Sequence, residues 1–144
     1  AGIELPEGYP PAGLYVSAVR SGGLLHVGGH GPVASDGTSI TGKVGDTVDL
    51  ELAQQAARLT GLQILRSVRA ELGSLDAVSR VVKVFGMVNC APGFNQTPAV
   101  INGCSQLFHD VFGEAGVHTR SAVGMAELPF DIAVEIEAIF ELNQ

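Results

Sequence analysis

Tryptophan is absent from this 144-residue chain, and lysine and cysteine occur only twice each. Cys90 and Cys104 are too few for a disulfide framework and, with no further thiol beside them, make no zinc site. They read as small buried hydrophobes of a reducing compartment. Positive charge is scarce: eight Lys and Arg stand against fifteen Asp and Glu, a formal net charge of −7. Such a chain has no basic footprint to neutralise phosphates, so no nucleic-acid partner is expected. No apolar run approaches the ~20 residues of a membrane span, so no membrane partner is expected either. The opening stretch to Pro11 carries Glu4 and Glu7 without Lys or Arg, unlike a secretory leader, and a cytoplasmic location is expected. The 19 glycines follow no period, which excludes a collagen-like rod.

Apolar residues are what the chain has in quantity. They make up 46% of it against 16% charged, the balance of a chain that folds around a core. The length suits one domain over residues 1–144. After a Pro/Gly-rich arm, Leu14 to Val19 and Leu24 to Gly28 read as strands joined by the turn Ser21-Gly22-Gly23. A glycine-rich loop follows. Leu52, Ala56, Leu59, Leu62, Leu65, Val68 and Leu72 then recur at helical spacing, between Asp46 as N-cap and Gly73 as C-cap. Ser79 to Asn89 reads as a strand. Thr97-Pro98 opens a second helix with the stripe Ile101, Cys104, Phe108 and Val111, and Gly113 stops it. Arg120 to Ala126 and Asp131 to Leu142 are the last strands, the latter strictly alternating.

The order β-β-α-β-α-β-β predicts an α+β fold, one sheet with two helices on one face. The 79–89 strand carries Val82, Val84 and Val88 on one side and Val81, Phe85 and Met87 on the other. Two helices cover only one face, so the second face predicts self-association.

The last two strands, read as a hairpin centred between Leu128 and Pro129, set Ala122 opposite Glu135 and Arg120 opposite Glu137. All four side chains then share the face away from the helices. An arginine fork suits a ligand carboxylate, and a glutamate beside it can orient water or pass a proton. An ordinary cross-strand ion pair is the plainer reading. Gly28-Gly29-His30-Gly31-Pro32 lets a ligand approach the backbone but lacks the Gly-Lys-Ser/Thr of a phosphate loop. His26 and His30 pair with no carboxylate motif, so no metal is expected. Lys43 and Lys83 have no phosphate cradle, so no pyridoxal phosphate is expected. His109 and His118 read as surface residues, and Tyr15 as either a core aromatic or a pocket hydroxyl.

Thr119-Arg120-Ser121, Leu128-Pro129 and Glu135-Ile136-Glu137-Ala138 together resemble the RidA/YjgF family, which includes enamine/imine deaminases. Val27-Gly28-Gly29-His30-Gly31-Pro32 resembles that family's Ser-Gly-Gln-x-Pro segment, and Gly13-Leu14-Tyr15 its Gly-Pro-Tyr start; the likeness covers nearly the whole chain. The resemblance implies a mixed sheet with two helices on one face, closed by three subunits into a barrel-like homotrimer with pockets at the clefts. It places the substrate carboxylate on Arg120, the attacking water on Glu135 and a pocket hydroxyl on Tyr15. Gly28, Gly29, Ala122 and Glu137 fall beside them, and Asn102 or Ser105 matches the pocket asparagine. Ala122 stands where the deaminases usually carry cysteine, and Gly28 where they carry serine. The implied reaction is cofactor-free hydrolysis of small 2-imino or enamine acids to 2-oxo acids and ammonia. The alternatives are a non-catalytic small-carboxylate binder and an endoribonuclease or translation inhibitor, the last disfavoured by the acidic charge.

Overall fold

The computed structural model describes residues 2–144. Strands β1 (Ala18–Ser21) and β2 (Leu24–His30) form a hairpin turning at Gly22-Gly23, where Gly22 takes a φ of 61°. The first strand begins later than Leu14. The Tyr15 N–H donates to the Gly13 carbonyl and the Tyr15 hydroxyl accepts from the Ala12 N–H, so this segment folds on itself instead of extending. Helix α1 (Leu50–Leu72) is capped by Asp49, whose carboxylate accepts from the Leu52 N–H at 2.9 Å. Asp46 is not the cap, because its own N–H and that of Val48 both donate to the Lys43 carbonyl and hold it in a turn. Gly73 closes α1 with a φ of 86°.

Strand β3 (Val78–Asn89) leads to α2 (Thr97–Phe112), then β4 (Thr119–Met125) and β5 (Val134–Leu142). Gln96, not Thr97, is the α2 cap residue, and the Thr97 hydroxyl instead donates to the Ala122 carbonyl at 2.9 Å. Val82 is the extra residue of a bulge in β3 opposite β5. The bulge turns Val81 to the buried side with Val84 and Val88, and leaves Val82, Phe85 and Met87 half-buried, so the expected grouping of these side chains is corrected.

The five strands lie in the order β1-β2-β5-β3-β4, with β3 and β4 parallel and the other neighbours antiparallel. The last two strands are therefore not a hairpin: β3 runs between them. The cause is α2. A strand–helix–strand crossover sets β4 parallel to β3 on its outer side, and β5 takes the remaining edge of β3. Both helices pack on one face of the sheet, α1 over β2 and β5, α2 over β3 and β4. The core beneath them includes Leu25, Ile64, Ile101, Phe108, Ile136 and Phe140, all fully buried. Gly86 allows α2 to sit this close, since a Cβ there would lie 2.5 Å from Ile101. No helix among the described residues is long and apolar enough to cross a membrane.

Candidate functional site

The register moves the proposed pair apart. Arg120 is level with Val84 and Ala138, on the helix-covered face. Glu135 is level with Met87, and Glu137 with Phe85, on the opposite face. Two inter-strand spacings and three residues separate Arg120 from Glu135, about 10 Å in each direction. The expectation that Arg120, Ala122, Glu135 and Glu137 share a face is corrected: β3 couples β4 to β5 with the opposite parity from a direct hairpin, and one step of register reverses the face. Glu137 does not oppose Arg120 and does not orient it.

Arg120 is half-buried against α2. Its Nη1 donates to Asn102 Oδ1 at 2.8 Å and Ser105 Oγ at 3.1 Å, and its Nη2 donates to the Pro98 carbonyl at 3.3 Å. Asn102 and Ser105, one turn apart on α2, therefore both hold the guanidinium. Ser105 also meets His118 Nε2 at 2.9 Å, and the His118 Nδ1–H donates to the Gly116 carbonyl at 2.6 Å. His118 is half-buried, not a surface residue, and burial pulls its pKa below 6.5. Every acceptor on Arg120 is neutral. The ion pairs among the described residues join Lys43 to Glu127 and Arg58 to Asp110. The guanidinium thus meets no carboxylate among the described residues and has N–H groups to spare for an anion.

Glu135 lines a cavity of about 670 Å³ together with Tyr9, Tyr15, Gly29, His30, Ser67 and Phe130. Its carboxylate crosses the β2 backbone where Gly29 has no side chain: a Cβ there would lie 2.1 Å from Glu135 Oε2. The carboxylate is half-buried and has no hydrogen-bond donor among the described residues. Burial first, then the neighbouring charge of Glu137, raises its pKa above 4.5. Arg120 is thus not the neighbour that sets its ionisation within one chain. His30 spans the cavity wall: its Nδ1–H donates to the Gly28 carbonyl at 2.7 Å, and its Nε2 accepts from the Ser67 hydroxyl at 2.7 Å. Burial lowers the His30 pKa below 6.5, which disfavours the charged ring.

The fold brings Tyr15, Gly29 and Glu135 to this cavity, with Tyr15 exposed at its edge. Gly28 supplies the carbonyl that orients His30, and its N–H donates to Ser17. Ala122 and Asn102 lie at the Arg120 end, on the other side of the sheet. Glu137 faces a small hollow on the open face with Lys83, Phe85 and Ile139. Sequence reasoning missed Ser67 and Arg66, which sit on α1 and carry no local signal. Phe130 did carry one: a bulky residue directly after Leu128-Pro129, in a turn that favours glycine. Burial pushes the Cys104 thiol up to about 12, which leaves it inert.

Comparison with known proteins supports this architecture. A family model described as Endoribonuclease L-PSP matches residues 7–142. Protein TCP17 of Trypanosoma cruzi is 47% identical over 143 residues, covering 99% of this chain and 89% of its own length. The 2-iminobutanoate/2-iminopropanoate deaminase of Dermatophagoides farinae is 31% identical over 139 residues, covering 95% and 92%. Among solved structures, protein Atu1372 of Agrobacterium tumefaciens superposes with a TM-score of 0.92 at 45% identity, covering 99% of this chain and 87% of that one.

Proposed function

We propose, for a chain that belongs to the Endoribonuclease L-PSP family, the RidA/YjgF family, that it hydrolyses 2-imino acids to 2-oxo acids and ammonia. The observation that carries this reading is the Glu135 carboxylate, half-buried, without a donor among the described residues, and facing a cavity of about 670 Å³. A carboxylate with a raised pKa is suited to take a proton from water near neutral pH. Water adds to the imine carbon, Glu135 takes the proton and delivers it to nitrogen, and the carbinolamine expels ammonia to leave the oxo acid. The iminium carbon is already electrophilic, so positioning and one oriented water suffice.

The substrate carboxylate needs a cation, and Arg120 with its neutral acceptors fits that role. Because Arg120 and Glu135 are on opposite faces of one sheet, a site using both takes Arg120 from a second copy. The half-exposed Phe85 and Met87 on the open face supply an apolar surface for that association, and a homotrimer is the assembly we propose. The net charge of −7 argues against RNA as substrate. One observation favours a second reading, a small-carboxylate binder without turnover: Ala122 and Gly28 offer no polar side chain to a ligand.

The deciding experiment generates 2-imino acids in situ with an amino-acid oxidase and follows oxo-acid release. The wild type accelerates release over buffer, and Glu135→Gln slows it by about 10²–10⁴-fold with binding of 2-oxo acids retained. No acceleration by the wild type across several side chains leaves the binder reading in its place.

A further inference from the structure

Between β4 and β5 the chain breaks a local rule. Leu128 to Asp131 is a tight turn closed by the Asp131 N–H donating to the Leu128 carbonyl at 3.1 Å, with Pro129 second and Phe130 third. Phe130 has φ 58° and ψ 19°, and Asp131 follows with φ 55°. A turn with proline second and positive φ third takes glycine or asparagine there, and a bulky side chain at that φ is strained.

The surroundings force the strain. Fully buried Asn89 donates through Nδ2 to Asp131 Oδ1 at 3.0 Å and to the Ile132 carbonyl at 3.1 Å. The Gly42 N–H donates to the Asp131 carbonyl at 2.8 Å, and Lys43 Nζ donates to Asn89 Oδ1 at 2.9 Å. The strained ring adds nothing to the core: Phe130 is 79% exposed. It instead lines the Glu135 cavity beside Tyr15 and Ile132. Strain held in place by a buried polar hub, with no gain in packing, is the signature of a residue kept for a ligand.

The size of the cavity agrees. A 2-oxo acid of six heavy atoms fills roughly 180 Å³ at the volume of a water molecule per atom, against about 670 Å³ available. We propose that Phe130 is the specificity residue of this site, and that its ring forms the wall against which an aromatic side chain of a 2-imino or 2-oxo acid stacks. This assignment rests on the reading of the Glu135 cavity as the 2-imino acid site.

The test is calorimetric binding of phenylpyruvate and pyruvate, which needs no turnover, to the wild type, Phe130→Gly and Phe130→Asn. The wild type prefers phenylpyruvate, and both variants lose about two- to tenfold of that preference, the worth of an aromatic pair. Phe130→Gly also melts a few degrees higher, because glycine takes this backbone without strain, and its sedimentation is unchanged. An equal preference in wild type and variants overturns the assignment. So does a Phe130→Gly protein that melts lower or changes its oligomeric state, which makes the ring a packing or interface residue. A wild type that hydrolyses 2-imino acids without preferring phenylpyruvate refutes the role of Phe130 alone. A wild type that prefers phenylpyruvate without hydrolysis refutes the reaction and keeps Phe130. Binding of neither acid refutes both.

Discussion

The Arg120 cluster and the Glu135 cavity are built on the same small unit. In each, a histidine donates from Nδ1 to the carbonyl two residues before it and meets a serine hydroxyl with Nε2: His118 with Gly116 and Ser105, His30 with Gly28 and Ser67. They differ in what lies beyond. Ser105 passes on to Arg120, so the chain of bonds ends on a cation held at three points. At the other end Glu135 has no bonded neighbour among the described residues, and its position comes from the missing side chain of Gly29. A group that recognises a charge gains from being tied down. A group that must take and release a proton gains from an unsatisfied carboxylate with a raised pKa.

The sharpest way to break this comparison is to place the two ends on different chains. Arg120→Gln and Glu135→Gln are each expected to keep at most about 1% of wild-type turnover. Refolded together as an equal mixture, they recover about a quarter of wild-type turnover if each site takes its arginine and its glutamate from different copies of a cyclic trimer. Recovery at the level of the separate variants would return both residues to one chain. Next in size is Gly29→Ala. Its Cβ displaces a carboxylate that lies 2.1 Å from that position, and kcat falls by about 10²-fold as for other misplacements near 1 Å. The fold is retained, because Gly29 is exposed and its backbone is ordinary.

Asn102→Ala tests the tied end. It removes one acceptor from Arg120 and leaves Ser105 and Pro98. KM for 2-imino acids rises by about tenfold, the worth of a hydrogen bond to a charged group, while kcat stays within about twofold because Glu135 is untouched. A matching fall in kcat would assign Asn102 to the reaction itself.

The smallest effect is on stability against pH. Burial holds His30 and His118 below 6.5 in the folded chain. The unfolded chain therefore binds more protons as the pH falls through 6.5, and folded stability is lost from there toward the lowered values. Glu135 acts in the other direction: its raised folded pKa adds stability as the pH falls through that value toward 4.5. Two histidines against one glutamate predict a melting temperature that declines from pH 7 to 5.5. His118→Gln makes the decline shallower, and an unchanged slope would remove His118 from this account.

Local chemistry made much of the fold legible. The apolar spacing of α1 and α2, the Gly73 and Gly113 stops, the Gly22-Gly23 turn and the alternation of β5 all follow from interactions within a few residues. Capping was less legible, because Asp46 and Asp49 are chemically alike and only the Lys43 turn selects between them. The candidate residues were legible as types: an arginine and a glutamate on the last two strands, a glycine pair on β2, an asparagine and a serine on α2. Ser67 was not, since nothing near it in the chain shows that His30 lies across from it.

By itself, then, the sequence determined the helices, the strands and the chemical types of the candidate residues, because each depends on neighbours in the chain. Only the tertiary structure decided which strand β4 pairs with, and so which face Arg120 takes. Strand alternation sets a side chain's face relative to its own strand alone. The partner is chosen by a crossover through α2, and that choice put β3 between the two residues and Arg120 and Glu135 on opposite faces of the sheet.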